Sequence, residues 1–198
     1  MEDLIFGLVT TIIGVLGTLT AIWLKDYLDR RRASSECSVS KTVSEDSEII
    51  YRLEEIKDEV KADRISVFCF HNGGEYYSGR SMQKMSCAYE VVSPGVSRTQ
   101  MTSMNIPVSA CLSTINKLIE NRELHCYDVE ANYPEGGCKY KLIEDGVKST
   151  YQYIILDLKK RAIGILRADF VIDPEEITED ADRALKTMSI KISGYLSK

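Results

Sequence analysis

One run of residues constrains this chain more than any other: the 21 residues from Leu4 to Leu24 carry no charge and are mostly apolar. A helix rises about 1.5 Å per residue, so this run would span about 31 Å, close to the thickness of a bilayer core. The only charged side chains before it are those of Glu2 and Asp3. A secretory signal peptide would instead begin with basic residues, have a shorter apolar core and end at a small-residue cleavage site. We therefore predict a transmembrane anchor at residues 1–25; a buried helix of a soluble protein is the alternative.

Four basic residues, Lys25, Arg30, Arg31 and Arg32, follow the run within eight positions. Segments rich in lysine and arginine stay on the cytoplasmic side of a membrane. The sequence thus predicts a single-pass protein of the cell inner membrane, with its N-terminus outside and its C-terminal domain in the cytoplasm. The same basic residues suit anionic lipid headgroups, so the lipid bilayer is the first predicted partner.

The composition argues against several classes of function. A net charge of −5 and a sequence pI near 5.2 argue against a nucleic-acid partner, because such binders usually present a basic surface. The six cysteines show no Cys-x-x-Cys spacing and the only histidines are His71 and His125, so no metal site is predicted. In the reducing cytoplasm we expect the cysteines to be free thiols rather than disulfides.

The rest of the chain divides into a linker and one domain. Residues 26–46 join the basic juxtamembrane segment to a stretch rich in serine and poor in large apolar side chains, which is typical of a linker. Residues 47–198 number about 150, enough for one domain with its own core. The predicted helices cover residues 47–62, 107–121, 139–145 and 173 onward, and the predicted strands cover 64–70, 86–92, 149–158 and 162–172. This order is typical of an α+β domain with an antiparallel sheet.

Three segments of the domain resemble a known family. The run GVKSTYQYIILDLKKRAIGILRADFV is similar to the closing hairpin of GAF domains, where a residue pair before the strand enters a pocket and a small residue follows the turn. The opening helix at residues 47–62 and the terminal sequence EDADRALKTMSIKISGYLSK resemble the first and last helices of that family. The resemblance implies a GAF-like antiparallel sheet flanked by helices across residues 47–198. It also implies a sensory, dimerising module for a small-molecule ligand, and it leaves the ligand and any cofactor unassigned.

The block FHNGGEYYSGRSMQKMSCAYEVVSPGVS is the most distinctive local sequence, and it is similar to uncharacterised GAF-like proteins of bacteriophages and bacteria. We interpret residues 71–74 as a turn, followed by a polar, aromatic loop that can supply the convergent polar groups of a ligand pocket. The candidate ligand-binding residues are His71, Asn72, Gly73, Tyr77, Gln83 and Glu90. The Glu90 carboxylate is expected to face the His71 imidazole. The alternative is a structural network that satisfies the backbone groups of a long loop.

The resemblance also implies a homodimer, because the first and last helices of GAF domains often pack as a dimer bundle. The candidate interface residues are Ile49, Leu53, Ile56, Val60, Leu185, Met188 and Ile192. The substitution Leu53→Asp is then expected to give a soluble monomer. Small residues at Thr10, Gly14 and Thr18 offer a second contact between two anchors, although glycine and threonine are common in membrane helices in any case.

Three functions remain open at this point. The leading hypothesis is a membrane-anchored sensory module that signals through an unidentified protein partner, because no output domain follows within the chain. The alternative is a ligand-free scaffold that recruits or blocks a cytoplasmic partner, for example in a phage-infected cell. A thiol enzyme that pairs Cys69 or Cys87 with His71 is the lesser alternative. We expect no enzymatic activity and assign no catalytic residue.

Overall fold

The structure is a computed structural model that describes the backbone of residues 2–197 and the side chains of residues 14, 17–29, 39–40 and 42–197. The chain divides into two compact units at residue 46, and helix α1 is assigned from Glu2 to Val60. The predicted linker at 33–46 is therefore helical. Of the 21 side chains on which the predicted anchor rests, twelve lie outside the described set, those of residues 4–13, 15 and 16. Within that set, no helix has the length and apolar character needed to cross a bilayer.

The second unit is built on a six-stranded sheet. The strands are β1 (Arg64–Glu75), β2 (Ser81–Val92), β3 (Ile106–Pro107), β4 (Glu123–Cys126), β5 (Ser149–Leu156) and β6 (Ala162–Phe170). Their order across the sheet is β3-β2-β1-β6-β5-β4, and every neighbouring pair is antiparallel. The remaining helices are α2 (Leu112–Asn121), α3 (Val129–Asn132), α4 (Gly137–Glu144) and α5 (Glu179–Leu196). The predicted α+β fold with an antiparallel sheet is confirmed.

One face of the sheet is covered by the last turns of α1 and by α5. Alternate strand residues such as Val67, Tyr153 and Leu166 pack there against the apolar stripes of both helices. All seven residues predicted for a dimer interface belong to this core and are at most 6% exposed: Ile49, Leu53, Ile56, Val60, Leu185, Met188 and Ile192. The predicted interface is therefore wrong, because these side chains are already buried within one chain.

The opposite face of the sheet is covered by α2, α3 and α4. Its core contains Phe68 and Ile165 from the central strands, Ile115 and Leu118 from α2, and Leu142 from α4. The two faces thus have separate cores, and the second core surrounds the cavity described below.

A glycine in the β5–β6 hairpin allows β6 to approach β1 closely. A Cβ atom at Gly164 would lie 2.4 Å from the carbonyl oxygen of Phe68, which no larger residue can tolerate without a backbone shift. Gly164 is opposite Cys69 on β1 and Ile155 on β5. The small residue after the turn, which the resemblance implied, therefore has a packing reason.

Two predicted boundaries are wrong, one in the β1–β2 hairpin and one at the start of the final helix. The segment 71–74 is not a turn but the end of β1, and the chain reverses between Tyr76 and Arg80, where the Tyr76 amide donates to the Arg80 carbonyl at 2.9 Å. A register shift between Asn72 and Glu75 absorbs the two glycines. The final helix begins at Glu179 rather than near residue 173, because the Thr178 side chain caps it by accepting from the Ala181 amide at 3.2 Å.

Two further boundaries differ between β3 and β5. The helix predicted from residue 107 begins at Leu112, after a single turn of 3₁₀ helix at Val108–Cys111. Strand β4 and helix α3 lie in a segment that the sequence left irregular. Strand β4 has only four residues, so its alternation is too short to stand out from loop sequence.

Candidate functional site

A cavity of about 160 Å³ lies between the sheet and the layer formed by α2 and α4. Its lining comes from the central strands, from both helices and from the segment before α2: Phe68, Met85, Thr102, Ser103, Ile106, Ala110, Cys111, Thr114, Ile115, Tyr133, Gly137, Cys138, Lys141, Leu142, Gln152, Ile165 and Arg167. Pockets for drug-sized ligands hold roughly 300–1,000 Å³. This cavity therefore suits a smaller molecule.

The register of the strands gives the floor of the cavity a polar end and an apolar end. Ser66 on β1 is opposite Arg167 on β6, and Arg167 is opposite Gln152 on β5, so these three residues form one row across the sheet. Two positions away along the strands, Phe68 is opposite Ile165. A ligand on this floor would meet hydrogen-bond donors at one end and hydrocarbon at the other.

Arg167 is the central group of the polar end. It is 8% exposed, its Nε donates to Asp169 Oδ2 at 2.9 Å, and its guanidinium lies 4.7 Å from the centroid of the Phe68 ring. Among the described residues, its Nη2 has no hydrogen-bond partner. Burial is the largest single influence and lowers the pKa of this guanidinium, but Asp169 and the other acidic groups around it together outweigh burial, so the pKa of Arg167 is raised above its ordinary value. Arg167 therefore carries a full positive charge at the cavity floor.

Three neutral polar side chains lie beside Arg167. Gln152 Nε2 donates to the Tyr133 hydroxyl at 2.9 Å, and a further hydrogen bond joins that hydroxyl to Thr114. All three residues are at most 3% exposed. Burial raises the pKa of Tyr133, so its hydroxyl stays protonated and can donate as well as accept.

The walls and the entrance of the cavity differ in character. Met85, Ile106, Ile115 and Leu142 supply apolar walls. At the α4 side, Lys141 is held away from the floor by an ion pair in which its Nζ lies 2.7 Å from Asp145 Oδ1. Arg167 is therefore the cation that the floor presents.

A disulfide between Cys111 and Cys138 lies in the wall of the cavity. It links the 3₁₀ turn before α2 to the first turn of α4, across 27 residues of chain. The structure thus joins this pair as a disulfide, which differs from the expectation that all cysteines are free thiols. The sequence spacing gave no sign of it, because the two residues meet only after α2 and α4 pack on the same face of the sheet.

Glu90 is not part of a site with His71, contrary to prediction. Both Glu90 carboxylate oxygens accept from the Thr99 amide at 3.0 Å, and Oε1 also accepts from the Thr99 hydroxyl at 2.8 Å. Arg64 Nε lies 3.6 Å from the same carboxylate. The strand register puts Glu90 opposite Ser66, whereas His71 is opposite Lys84. Glu90 therefore anchors the loop that follows β2.

The other predicted ligand residues lie at the far end of the β1–β2 hairpin, away from the cavity lining. His71 Nε2 is 2.8 Å from Ser86 Oγ, and Asn72 Oδ1 accepts from the Gly74 amide at 3.1 Å. Gln83 Nε2 donates to Ser81 Oγ at 2.8 Å. Gly73 lies within the strand, and the Tyr77 side chain is fully exposed at the hairpin tip. These contacts are those of the structural network that the sequence analysis kept as the alternative, and a ligand role for this hairpin stays a prediction.

The two cysteines of the proposed thiol pair are poor nucleophiles. Burial raises the pKa of Cys69 from 9.0 to about 11 and is the main cause that raises the pKa of Cys87 to about 12. A thiol needs to ionise to attack, so at neutral pH both are almost wholly protonated. His71 contacts Ser86 rather than either thiol.

One group of acidic and histidine side chains in the described part of the chain has metal-ligand spacing: Glu123, His125 and Asp182. The position between its two carboxylates already holds a cation, because Lys186 Nζ lies 2.7 Å from Glu123 Oε2 and 2.8 Å from Asp182 Oδ2. Burial opposes ionisation of Asp182, but the hydrogen bonds from Lys186 and Tyr153 lower its pKa below the ordinary value. This cluster pins α5 to β4 and β5.

Similar proteins were found among solved structures alone: no known family matches the chain, and no curated protein does. The GAF domain of PixJ from Thermosynechococcus elongatus, in its blue-light absorbing form, is 12% identical with a TM-score of 0.60, over 79% of this chain and 89% of that one. A phycocyanobilin-bound GAF domain from a cyanobacterial phytochrome is 13% identical with a TM-score of 0.56, over 81% and 90%. A domain assigned to a two-component sensor histidine kinase of Sinorhizobium meliloti is 13% identical with a TM-score of 0.52, over 74% and 86%.

These similarities establish the fold of the second unit as GAF-like. They agree with the resemblance seen in the closing hairpin and the two flanking helices. The resemblance to bacteriophage proteins is tested by none of them and stays a prediction. The class of protein that the fold and the cavity define is therefore a GAF-like module.

Proposed function

We propose that this protein is a GAF-like sensory module that binds a small molecule in the cavity between the sheet and α2/α4. The observation that carries the proposal is a cavity that combines apolar walls with a buried donor on Arg167, for which the described residues supply no partner. Ligand sites in proteins have this combination of hydrocarbon surface and a few directed polar groups. Helices α2 and α4 form the cover of the cavity, so an occupant would bias their packing and thereby the outer surface.

The remaining parts of the proposal rest on the sequence. The uncharged run and the basic residues behind it support an anchor in the inner membrane with the module in the cytoplasm. The signal then passes to a separate protein partner, and the anchor with its small residues supports a homodimer. The residues of the dimer interface differ from those predicted, since those lie in the core.

Native mass spectrometry of the full-length chain tests the ligand. We expect an additional small mass that is lost on denaturation. Ile115→Phe places a larger side chain in the cavity wall and is expected to remove that mass. Ile119→Phe is the matched control, because Ile119 lies one turn along the same helix and is 49% exposed.

Loss of the extra mass from Ile115→Phe but not from Ile119→Phe supports a ligand in this cavity. A wild-type chain that retains nothing, and that also shows no small-molecule binding in the experiments below, contradicts the sensory proposal. The ligand-free scaffold would then be the better hypothesis.

A further inference from the structure

We propose that the cavity ligand is a small monocarboxylate, whose carboxylate accepts from Nη2 of Arg167 and whose hydrocarbon part lies against Phe68, Met85 and Ile115. This inference rests on the proposed function and adds the chemical class of the ligand. It stands on the position and the partners of one buried cation.

The Nη2 group of Arg167 needs an acceptor. A buried donor without a partner is costly, and the cost is larger for a charged group. Among the described residues, no protein atom accepts from Nη2, while Nε of the same side chain is bonded to Asp169. Arg167 also lines the cavity, so a molecule in the cavity can supply the missing acceptor.

The charges around Arg167 favour an anionic acceptor over a neutral one. The Asp169 carboxylate is shared, because its Oδ2 lies 2.9 Å from Arg167 Nε and 3.5 Å from Arg64 Nη1, and its Oδ1 accepts from Thr150. Arg64 has a second carboxylate, Glu90, at 3.6 Å, whereas among the described residues Arg167 has only the shared Asp169 as an ion-pair partner. Asp145 also acts on Arg167, but Lys141 Nζ is bound to it at 2.7 Å. A hydrogen bond from a cation to an anion is roughly twice as strong as one between neutral groups.

The rest of the cavity limits the ligand to one charged group. Beyond the row that contains Gln152 and Arg167, the floor is formed by Phe68 and Ile165 and the walls by aliphatic side chains. A second anionic group would be buried against hydrocarbon. The volume of about 160 Å³ matches roughly five water molecules, which suits a single ring or a short chain.

Matched pairs of acids and alcohols test the inference on the full-length chain, from propionate and propanol to 4-fluorobenzoate and 4-fluorobenzyl alcohol. Calorimetry gives the affinities, and fluorine NMR reports binding of the aromatic pair. The tightest acid is expected to bind at least tenfold more tightly than its alcohol, the effect of one charge-assisted hydrogen bond. Ile115→Phe is expected to weaken both members of that pair, and Ile119→Phe neither.

Two variants test the role of the arginine. Arg167→Met keeps the length of the side chain and is expected to abolish the preference for the acid. Because Arg167 also contacts Asp169, that variant can lose its fold, so Gln152→Glu provides a second route. It places a carboxylate on the residue opposite Arg167, where it competes with the ligand. We expect it to weaken the acid at least tenfold more than it weakens the alcohol.

The failures are distinguishable. If an alcohol binds in the cavity as tightly as its acid, or if Gln152→Glu leaves the acid unchanged, the monocarboxylate inference is overturned and the cavity remains a ligand site. If no acid binds at millimolar concentration while a neutral compound does, the inference fails in the same way. If nothing binds to the folded protein, the inference and the proposed function fail together.

Discussion

At the scale of single residues, four buried charges on one face of the sheet have different surroundings. Glu90 and Arg64 are used by the fold: the first holds the amides of the following loop, and the second donates to the Ser97 carbonyl at 3.0 Å. Asp169 bridges the two arginines. Among the described residues, Arg64 Nε and Nη1 and Arg167 Nη2 all lack a hydrogen-bond partner, but of the two arginines only Arg167 belongs to the cavity lining. The difference lies in access to the cavity, since all four are buried.

The thiols of Cys69 and Cys87 give a prediction that separates a core residue from a nucleophile. With pKa values raised from 9.0 to about 11 and about 12, Cys69 should react with iodoacetamide at pH 8 roughly 100-fold and Cys87 roughly 1,000-fold more slowly than a free thiol, because the thiolate fraction falls tenfold per unit. A folded-state pKa above the ordinary value also means that the rate keeps rising above about pH 10, where a free thiol has levelled off. Peptide mapping by mass spectrometry measures each site.

The control for this measurement is the same chain unfolded in guanidinium chloride, in which both sites should react at the free-thiol rate. Rapid labelling of Cys69 or Cys87 in the folded protein would revive the thiol enzyme as a hypothesis. Slow labelling of both sites, with Cys87 slower than Cys69, supports their assignment to the two cores.

The residues of the cavity floor were within reach of the sequence, although they were not predicted. Thr150 and Gln152 on one strand, and Arg167 and Asp169 on the next, are polar residues at alternate positions in otherwise apolar strands. Such spacing puts them on one buried face, where each needs a partner. The sequence around residues 71–74 is the most distinctive in the chain, but its side chains make contacts within a hairpin. The disulfide could not be predicted, because it depends on how two helices pack.

At the scale of elements, the stripes on α1 and α5 are core, and this changes the expected effect of Leu53→Asp. Leu53 is fully buried between the helices and the sheet. Removing a buried leucine costs about 2–5 kcal/mol, and a buried carboxylate adds to that. Because domains are stable by about 5–15 kcal/mol, we expect loss of the fold rather than a folded monomer.

Thermal unfolding and limited proteolysis of the full-length chain measure this effect. Tyr51→Asp is the control, because Tyr51 lies on the same helix two residues away and is 57% exposed. Its midpoint should change little. A folded, monomeric Leu53→Asp protein would contradict the packing described here and restore the predicted dimer interface.

Most elements of the second unit could be predicted because their periodicity is long and regular. The β5–β6 hairpin is the clearest example: it was predicted at 149–158 and 162–172 and is found at Ser149–Leu156 and Ala162–Phe170. The errors lie where short-range signals compete. Asn-Gly usually marks a turn, but here a bulge carries Asn72 and its glycines within a strand. Asp173 and Pro174 indicated an earlier start for the last helix. The helix starts after Thr178 instead, because the Thr178 hydroxyl accepts from the Ala181 amide in the first turn.

At the scale of the whole molecule, the predicted anchor and the cysteine pair point to different cellular compartments for the second unit. Basic residues after the apolar run favour a cytoplasmic domain, where glutathione keeps thiols reduced. The structure, however, brings Cys111 and Cys138 together as a disulfide. The geometry allows the bond, and the compartment decides whether it forms. We give the charge asymmetry more weight, because it acts on topology directly.

The prediction that follows concerns intact cells. The full-length chain should remain in the membrane fraction after carbonate extraction, and a membrane-impermeant maleimide should not label its C-terminal domain until the cells are lysed. After acid quenching and alkylation, Cys111 and Cys138 should be recovered as two thiols.

Mild oxidation of the purified chain should then form the bond and stabilise the fold by about 3 kcal/mol, the effect of closing a loop of this length. The double variant Cys111→Ser/Cys138→Ser is the control for that gain. Recovery of the pair as a disulfide from quenched cells, together with labelling from outside, would reverse the orientation and place the cavity, with its ligand, on the other side of the membrane.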